Sequence, residues 1–310
     1  MASVSSQSPA HDRNPKRLAL GDSTKGVSPG RAHAPYGPVW AIEELSSLEL
    51  AIATIEANEL IAHDNTTLQR GLLPAPTLRG DGFEAAARYQ PGRSNALLGG
   101  DFYDVLQTDD LSVHVILGDV SGHGAAEAAL AVHLRMAWRT AVLCGMSQLE
   151  QLRILESILT AQRRDSDTYA TVVSVVFPPD GHSARVVNAG HPGLLLRRST
   201  EVRWVEPRPG IPLGLFPGAV DWEEMELEIA PGDRVVLFTD GLYEGRIDAS
   251  ARLGEDGLME LAARYSHLPS QKFIDALLAG AASMAAPFGG LADDVAVLHL
   301  GWSLLGPPPG

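Results

Sequence analysis

A short apolar run, Val113-His114-Val115-Ile116-Leu117, breaks into Gly118-Asp119-Val120-Ser121-Gly122-His123-Gly124, and an alanine-rich stretch follows at once. Val113, Val115 and Leu117 alternate with their neighbours, as one face of a half-buried strand does. Upstream, Gly99-Gly100 precedes a second apolar run from Asp101 to Leu106, and Asp109-Asp110 supplies a turn between the two. The pair reads as an antiparallel hairpin. In such a hairpin the start of one strand lies beside the end of the next. Asp101 and Asp119 are therefore expected as neighbours, with bare glycine backbone on either side.

The same punctuation continues along the chain. A helix is predicted from about Ala125 to Leu143. A second opens on a capping box, Ser147 to Glu150, and carries Leu149, Leu152, Leu155 and Leu159. Strands are predicted at Ala170–Phe177, Ser183–Asn188, Gly193–Arg197, Val202–Val205, Met225–Ile229 and Arg234–Phe238. Helices follow at Gly257–Tyr265 and Ser270–Ala281, and a last strand at Val295–Leu300. Short turns between strands, with helices grouped in pairs, indicate an α+β domain with antiparallel sheets rather than a doubly wound parallel fold.

Ahead of this domain, Leu45, Leu48, Ile52 and Ile55 repeat at the 3-4-3 spacing of a coiled-coil seam. A long helix is expected from Val39 to Arg70, where it would dimerise or pack on its own domain. Pro74 and Pro76 end it. Residues 1–36, rich in Ser, Pro, Gly and Ala, read as a disordered tail. The division expected is a tail (1–36), an N-terminal helix that dimerises or couples (37–75), one catalytic domain (76–303) and a flexible C-terminus (304–310).

The net charge is −14 over 310 residues. Arg13, Lys16, Arg17, Lys25 and Arg31 make the first 36 residues basic, so the remainder is more acidic still. Such a balance argues against nucleic acid as the main partner, because phosphate backbones need a basic face. No apolar run reaches a membrane-span length and no signal-peptide core is evident, so the reading is cytoplasmic with no membrane partner. Cys144 is the only cysteine, which excludes an intrachain disulfide and a thiolate metal site. It is expected as a small buried hydrophobe. Phe102, Tyr103, Trp138 and Trp204 are expected in the core. Taken alone, Asn188-Ala189-Gly190-His191-Pro192 is a hairpin turn.

Two further acidic junctions follow the plan of the first pair. Asp240 ends the apolar strand Arg234–Phe238, and Asp293-Asp294 stands just before the final strand. Carboxylates gathered without cations repel and raise one another's pKa, and divalent ions remove that penalty. Oxygen-only ligands favour Mg²⁺ or Mn²⁺ over Zn²⁺. Two such ions sharing a carboxylate and a water suit phosphate ester hydrolysis.

In order, Gly99-Gly100-Asp101-Phe102-Tyr103-Asp104, Gly118-Asp119-Val120-Ser121-Gly122-His123-Gly124, Asn188-Ala189-Gly190-His191, Phe238-Thr239-Asp240-Gly241-Leu242-Tyr243-Glu244 and Asp293-Asp294 resemble the motifs of PPM/PP2C-type serine/threonine phosphatases. The branch they resemble most is that of stage II sporulation protein E and the sigma-factor-regulator phosphatases. Leu68-Gln69-Arg70-Gly71-Leu72-Leu73-Pro74 is similar to the segment that leads into that domain. The resemblance covers residues 66 to 300. It implies an α/β/β/α sandwich of two antiparallel sheets flanked by helices, with two Mn²⁺ or Mg²⁺ ions at one sheet edge. It implies hydrolysis of phosphoserine or phosphothreonine. By position, Asp119 would bridge both ions, the Val120 carbonyl would bind one, and Asp240 and Asp293 would hold the other. Asp101 would act directly or through water, and Asp294 is a lesser ligand candidate. The implied partner is a phosphorylated protein, an anti-sigma-factor antagonist.

Three departures accompany the resemblance. The paired-Asp motif commonly carries Thr two residues on, where this chain has Ala296. A phosphate-gripping arginine has no evident counterpart, Arg88 and Arg93 being loose candidates. The proton-donating histidine of the eukaryotic branch follows the bridging Asp at another spacing, which leaves His123 as a hypothesis for that role. Two other functions stay open: a phosphatase-fold binding module with weak or no turnover, and a small-molecule phosphoesterase.

Overall fold

The computed structural model describes residues 73–90, 99–219, 221–291 and 293–303. The tail, the N-terminal helix and the C-terminal segment expected from the sequence lie outside the described residues. So does Arg93.

The hairpin forms as expected but is longer than its apolar runs. It is built from β2 (Gly99–Gln107) and β3 (Val113–His123). Asp119 therefore does not end its strand, and Gly122-His123 are strand residues rather than a loop. The extension is held by pairing, since Gly99 lies opposite His123 while Asp101 lies opposite Asp119. Between those two pairs, Val120-Ser121-Gly122 on β3 faces the single residue Gly100 on β2. This is a bulge, a device that re-aims groups beside functional sites.

β2 and β3 belong to a five-stranded sheet ordered β2-β3-β4-β5-β8, with β4 at Ala170–Phe177, β5 at Ser183–Ala189 and β8 at Glu224–Glu228. A second sheet is ordered β1-β10-β9-β6-β7. Here β1 is Phe83–Gln90, β6 Leu194–Arg198, β7 Glu201–Val205, β9 Arg234–Phe238 and β10 Val295–Trp302. Every strand pairing in both sheets is antiparallel. The fold class is α+β.

Strand alternation divides the apolar residues between layers. Val113, Val115 and Leu117 of β3 meet Leu298 and Leu300 of β10 in a core between the sheets. Ile116 and Val120 point the other way, into a second core with Leu134, Trp138, Leu152, Leu155 and Leu159. Those residues come from α1 (Ala125–Leu143) and α2 (Gln148–Gln162). Val295 and Val297 face a third core with Leu258, Leu261, Phe273 and Leu277, from α3 (Gly254–Tyr265) and α4 (Ser270–Ala285). The outcome is a four-layered α/β/β/α sandwich. The capping box of α2 is complete, with the Ser147 side chain accepting from the Glu150 amide and Glu150 accepting from the Ser147 amide.

Two local expectations are corrected. Cys144 is exposed, because it follows the solvated Leu143 at the end of α1, where the chain turns away at Gly145. Asn188–Pro192 is not a hairpin turn but a crossover, since β5 and β6 lie in different sheets. Trp138 is fully buried as expected, whereas Trp204 is only partly covered.

A buried ion cluster ties α1 to β2. Asp104 is wholly inaccessible and accepts from Arg139 at 2.8 and 2.9 Å and from Arg135 at 3.2 Å. Arg139 also donates to the Thr77 hydroxyl at 2.9 Å. One carboxylate thus receives two guanidinium groups, which satisfies a charge that would otherwise be costly at that depth.

Candidate active site

The five acidic residues named from sequence gather where the two sheets meet. Asp101 and Asp119 are cross-strand partners on β2 and β3. Asp240 opens a 3₁₀ turn directly after β9. Asp293 and Asp294 precede β10, and the Asp293 carboxylate accepts the Asp294 amide at 2.8 Å. Asp293 faces solvent while Asp294 is buried.

Glycine makes this crowding feasible. A Cβ on Gly99 would lie 1.2 Å from Asp294 Oδ2. One on Gly100 would lie 2.1 Å from the Val120 carbonyl oxygen and 2.7 Å from Asp119 Oδ1. One on Gly241 would meet the Asp294 carbonyl oxygen at 2.2 Å. The bare backbone of β2 is thus a cradle beside one carbonyl and two carboxylates. Gly122 and Gly124 hold φ of 101° and 120°, which lets the chain leave the bulge and enter α1 without strain.

Electrostatics follow from the gathering. Burial pushes the Asp119 carboxyl up to about 8, and Asp240, Asp293 and Asp294 push it further in the same direction. Asp101 is also held well above the ordinary carboxylate range, by burial first and then by Asp119, while the Thr239 hydroxyl opposes the shift. Asp240 is raised by burial, Glu244 and Asp293. Among the described residues, no three carboxylate, imidazole or thiolate groups close on a point as a finished metal cage would.

Three residues without an assigned role from sequence shape the site. Thr239 is fully buried, donates to Asp101 Oδ2 at 2.8 Å and accepts the Ala296 amide at 2.9 Å. Its position between an apolar strand and Asp240 was the available signal. Its hydroxyl sits against residue 296 itself, the position where the motif commonly carries Thr. Tyr89 accepts the Gly99 amide at 3.3 Å, and burial together with Asp294 raises its phenol pKa. Nothing in the pattern of β1 marked it.

His191 is a strut between the sheets. Its Nε2 lies 3.1 Å from the Phe238 carbonyl oxygen and its Nδ1 lies 3.2 Å from the Thr171 hydroxyl. A carbonyl only accepts, so Nε2 carries the proton and Nδ1 accepts from Thr171. Burial lowers its pKa to about 4, so the ring is neutral near pH 7. Asn188 closes the crossover, accepting the His191 amide at 2.8 Å and donating to its carbonyl at 3.0 Å. His123 stands exposed at the end of β3. Arg88 is tied to Asp275 of α4 at 2.6 Å.

A family model described as Stage II sporulation protein E (SpoIIE) matches residues 109–303. The chain belongs to the stage II sporulation protein E family. Among curated SpoIIE-like relatives, phosphoserine phosphatase RsbP of Bacillus subtilis is 24% identical over 150 residues, covering 47% of this chain and 37% of RsbP. The chain spans less than half the length of the curated relatives it matches. A crystal structure of the RsbU and RsbW domains of a Mycobacterium tuberculosis protein superposes with a TM-score of 0.62 at 27% identity, over 76% of this chain and 62% of that one. The SiaA-PP2C domain of Pseudomonas aeruginosa gives 0.65 at 20% identity, over 81% and 99%. This SpoIIE-family chain therefore has the PP2C fold. Among the described residues no helix is long and apolar enough to cross a membrane.

Proposed function

We propose that this protein is a metal-dependent phosphatase acting on phosphoserine or phosphothreonine in a protein substrate. The observation that carries this reading is the set of mutually repelling carboxylates, buried or half-buried except for Asp293, held on β2 and β3 and beside the ends of β9 and β10 next to a glycine cradle. The donor set fits Mn²⁺ or Mg²⁺: it is oxygen-only, and the missing Cβ of Gly100 leaves room at Asp119 Oδ1 and the Val120 carbonyl. Asp119, the Val120 carbonyl, Asp240 and Asp293 would hold the ions. Asp101 and Asp294 would complete the set. When bound, the ions supply an acidified water and offset charge on the phosphoryl oxygens.

The chain's own residues do the rest. Thr239 fixes the rotamer of Asp101 by its hydroxyl and ties that carboxylate to the second sheet. His191 and Asn188 lock the crossover behind Phe238, two residues before Asp240. Groups held within a few tenths of an ångström lose little in reorganising during reaction. Neutral His191 is a positioning residue and supplies no proton near pH 7.

The substrate proposed is a phosphorylated anti-sigma-factor antagonist. Support comes from the phosphoserine phosphatase relatives and from a neighbour that joins RsbU and RsbW domains in one protein. A second reading, a binding module with weak turnover, draws on Ala296, which stands where the paired-Asp motif commonly carries Thr. Hydrolysis of p-nitrophenyl phosphate and of a phosphoserine peptide with Mn²⁺, Mg²⁺ or EDTA separates the two. Metal-dependent turnover that is lost in Asp119→Ala and Asp240→Asn is expected. A folded protein that binds Mn²⁺ but turns over neither substrate would select the binding module.

A further inference from the structure

The carboxylates can account for metal binding, but not for recognition of a dianionic phosphoryl group. A cavity of about 430 Å³ opens beside Asp293, lined by Gly241, Glu244, Arg246, Arg252 and Phe288. Its two arginines come from a small hairpin that follows the Asp240 turn. Leu253 donates to the Gly245 carbonyl at 2.9 Å and Ile247 to that of Ala251 at 3.0 Å. The Asp248 carboxylate caps the tip through the Ser250 and Ala251 amides.

This hairpin sets Arg246 directly opposite Arg252. Like charges directly opposite across a strand pair destabilise it. Arg252 is relieved by an ion pair with Glu244. Arg246 has no hydrogen bond or ion pair among the described residues. It does not fold back onto Asp293, although both line the same cavity. A cation is thus held out at the rim of an acidic site with no ion-pair partner of its own among the described residues. A guanidinium presents a planar fork of donors that matches the oxygens of a phosphate.

We propose that Arg246, steadied by the Arg252–Glu244 pair, binds the phosphoryl group of the phosphoserine substrate at the Asp293 side of the site. This rests on the phosphatase reading above and extends it to a residue that selects the substrate. Arg246 would touch the non-reacting phosphoryl oxygens, and the exposed Phe288 would form the apolar side of the cleft.

The test is Arg246→Ala beside Arg246→Lys, with Arg264→Ala on α3 as a control for loss of one positive charge. Kinetics on a phosphoserine peptide and on p-nitrophenyl phosphate are measured at saturating Mn²⁺, with calorimetry for Mn²⁺ and for inorganic phosphate. For Arg246→Ala, kcat/KM on both substrates should fall about tenfold to a hundredfold, mostly through KM, as expected for a lost charge-assisted hydrogen bond. Phosphate binding should weaken in parallel, Mn²⁺ affinity should stay at the wild-type value, and lysine should rescue only in part. Unchanged kinetics in Arg246→Ala, or Mn²⁺ affinity falling in step with KM, would overturn the assignment. If the wild type proves inactive, phosphate calorimetry decides alone. Arg246-dependent phosphate binding would keep the cleft while the phosphatase reading fell, and phosphate binding indifferent to Arg246 would remove the cleft.

Discussion

The Thr239 hydroxyl donates to Asp101 Oδ2 at 2.8 Å, which joins the two sheets of the sandwich at the acidic cluster. Asp101 belongs to β2 in one sheet, and Thr239 follows β9 in the other. The same hydroxyl oxygen accepts the Ala296 amide at 2.9 Å. One buried side chain therefore bridges the two sheets and orients a carboxylate. Thr239→Val keeps the shape and removes both contacts. It should destabilise the fold by about 1–3 kcal/mol, because a buried amide and a buried carboxylate each lose a partner. Urea unfolding gives the stability, and Mn²⁺ calorimetry should show weaker binding in the same variant.

Gly100→Ala tests the cradle. The added Cβ would lie 2.1 Å from the Val120 carbonyl oxygen, a backbone atom that cannot swing aside. Relief requires the bulge to shift, carrying Asp119 with it. Mn²⁺-dependent turnover should fall by at least about a hundredfold, since small displacements of reacting groups have effects of that size. Near wild-type turnover in this variant would mean that the bulge yields easily.

Asp104→Ala should be among the more destabilising single changes outside the cluster. It leaves Arg135 and Arg139 without their shared carboxylate at a fully buried position. Removing one member of a buried ion cluster costs about 3–5 kcal/mol. Denaturant titration should resolve that loss. A companion Arg139→Met variant should lose less, because Arg135 still pairs with Asp104.

The buried histidines predict acid sensitivity. His191 is lowered from 6.5 to about 4, and His299 to about 3, in both cases mainly by burial. On acidification the unfolded chain takes up these protons first, so stability is full above the unfolded value and is lost as pH falls from there through the folded value. For His191 alone the loss amounts to about 3 kcal/mol at the acid end. Asp119 runs the other way, because its raised pKa makes the metal-free fold lose stability as pH rises through about 8. The difference between wild type and His191→Gln cancels that opposing trend. Unfolding free energies from about pH 8 to about pH 4 should diverge least at the acid end, where the wild type has lost the histidine's contribution.

The local units of this protein are written in its sequence. Alternation in Val113–Leu117, the apolar run Arg234–Phe238 and the Ser147–Glu150 capping box each specify an element through neighbours a few residues away, and the structure has those elements. The acidic junctions were legible for the same reason, as carboxylates beside glycine at strand ends. Their gathering was expected from the ordered motifs, whereas their orientation was not legible. That Asp294 turns toward Gly99 while Asp293 faces the solvent, that β3 runs past Asp119 to His123, and that Asn188–Pro192 crosses between sheets all depend on pairing between distant strands. Thr239 acquires its role only when β9, β10 and β2 meet, and Arg246 only when its hairpin sets it opposite Arg252 beside Asp293. Hydrogen-bond geometry and Coulomb interactions act through space, so residues far apart in the chain take these roles only once the two sheets pack.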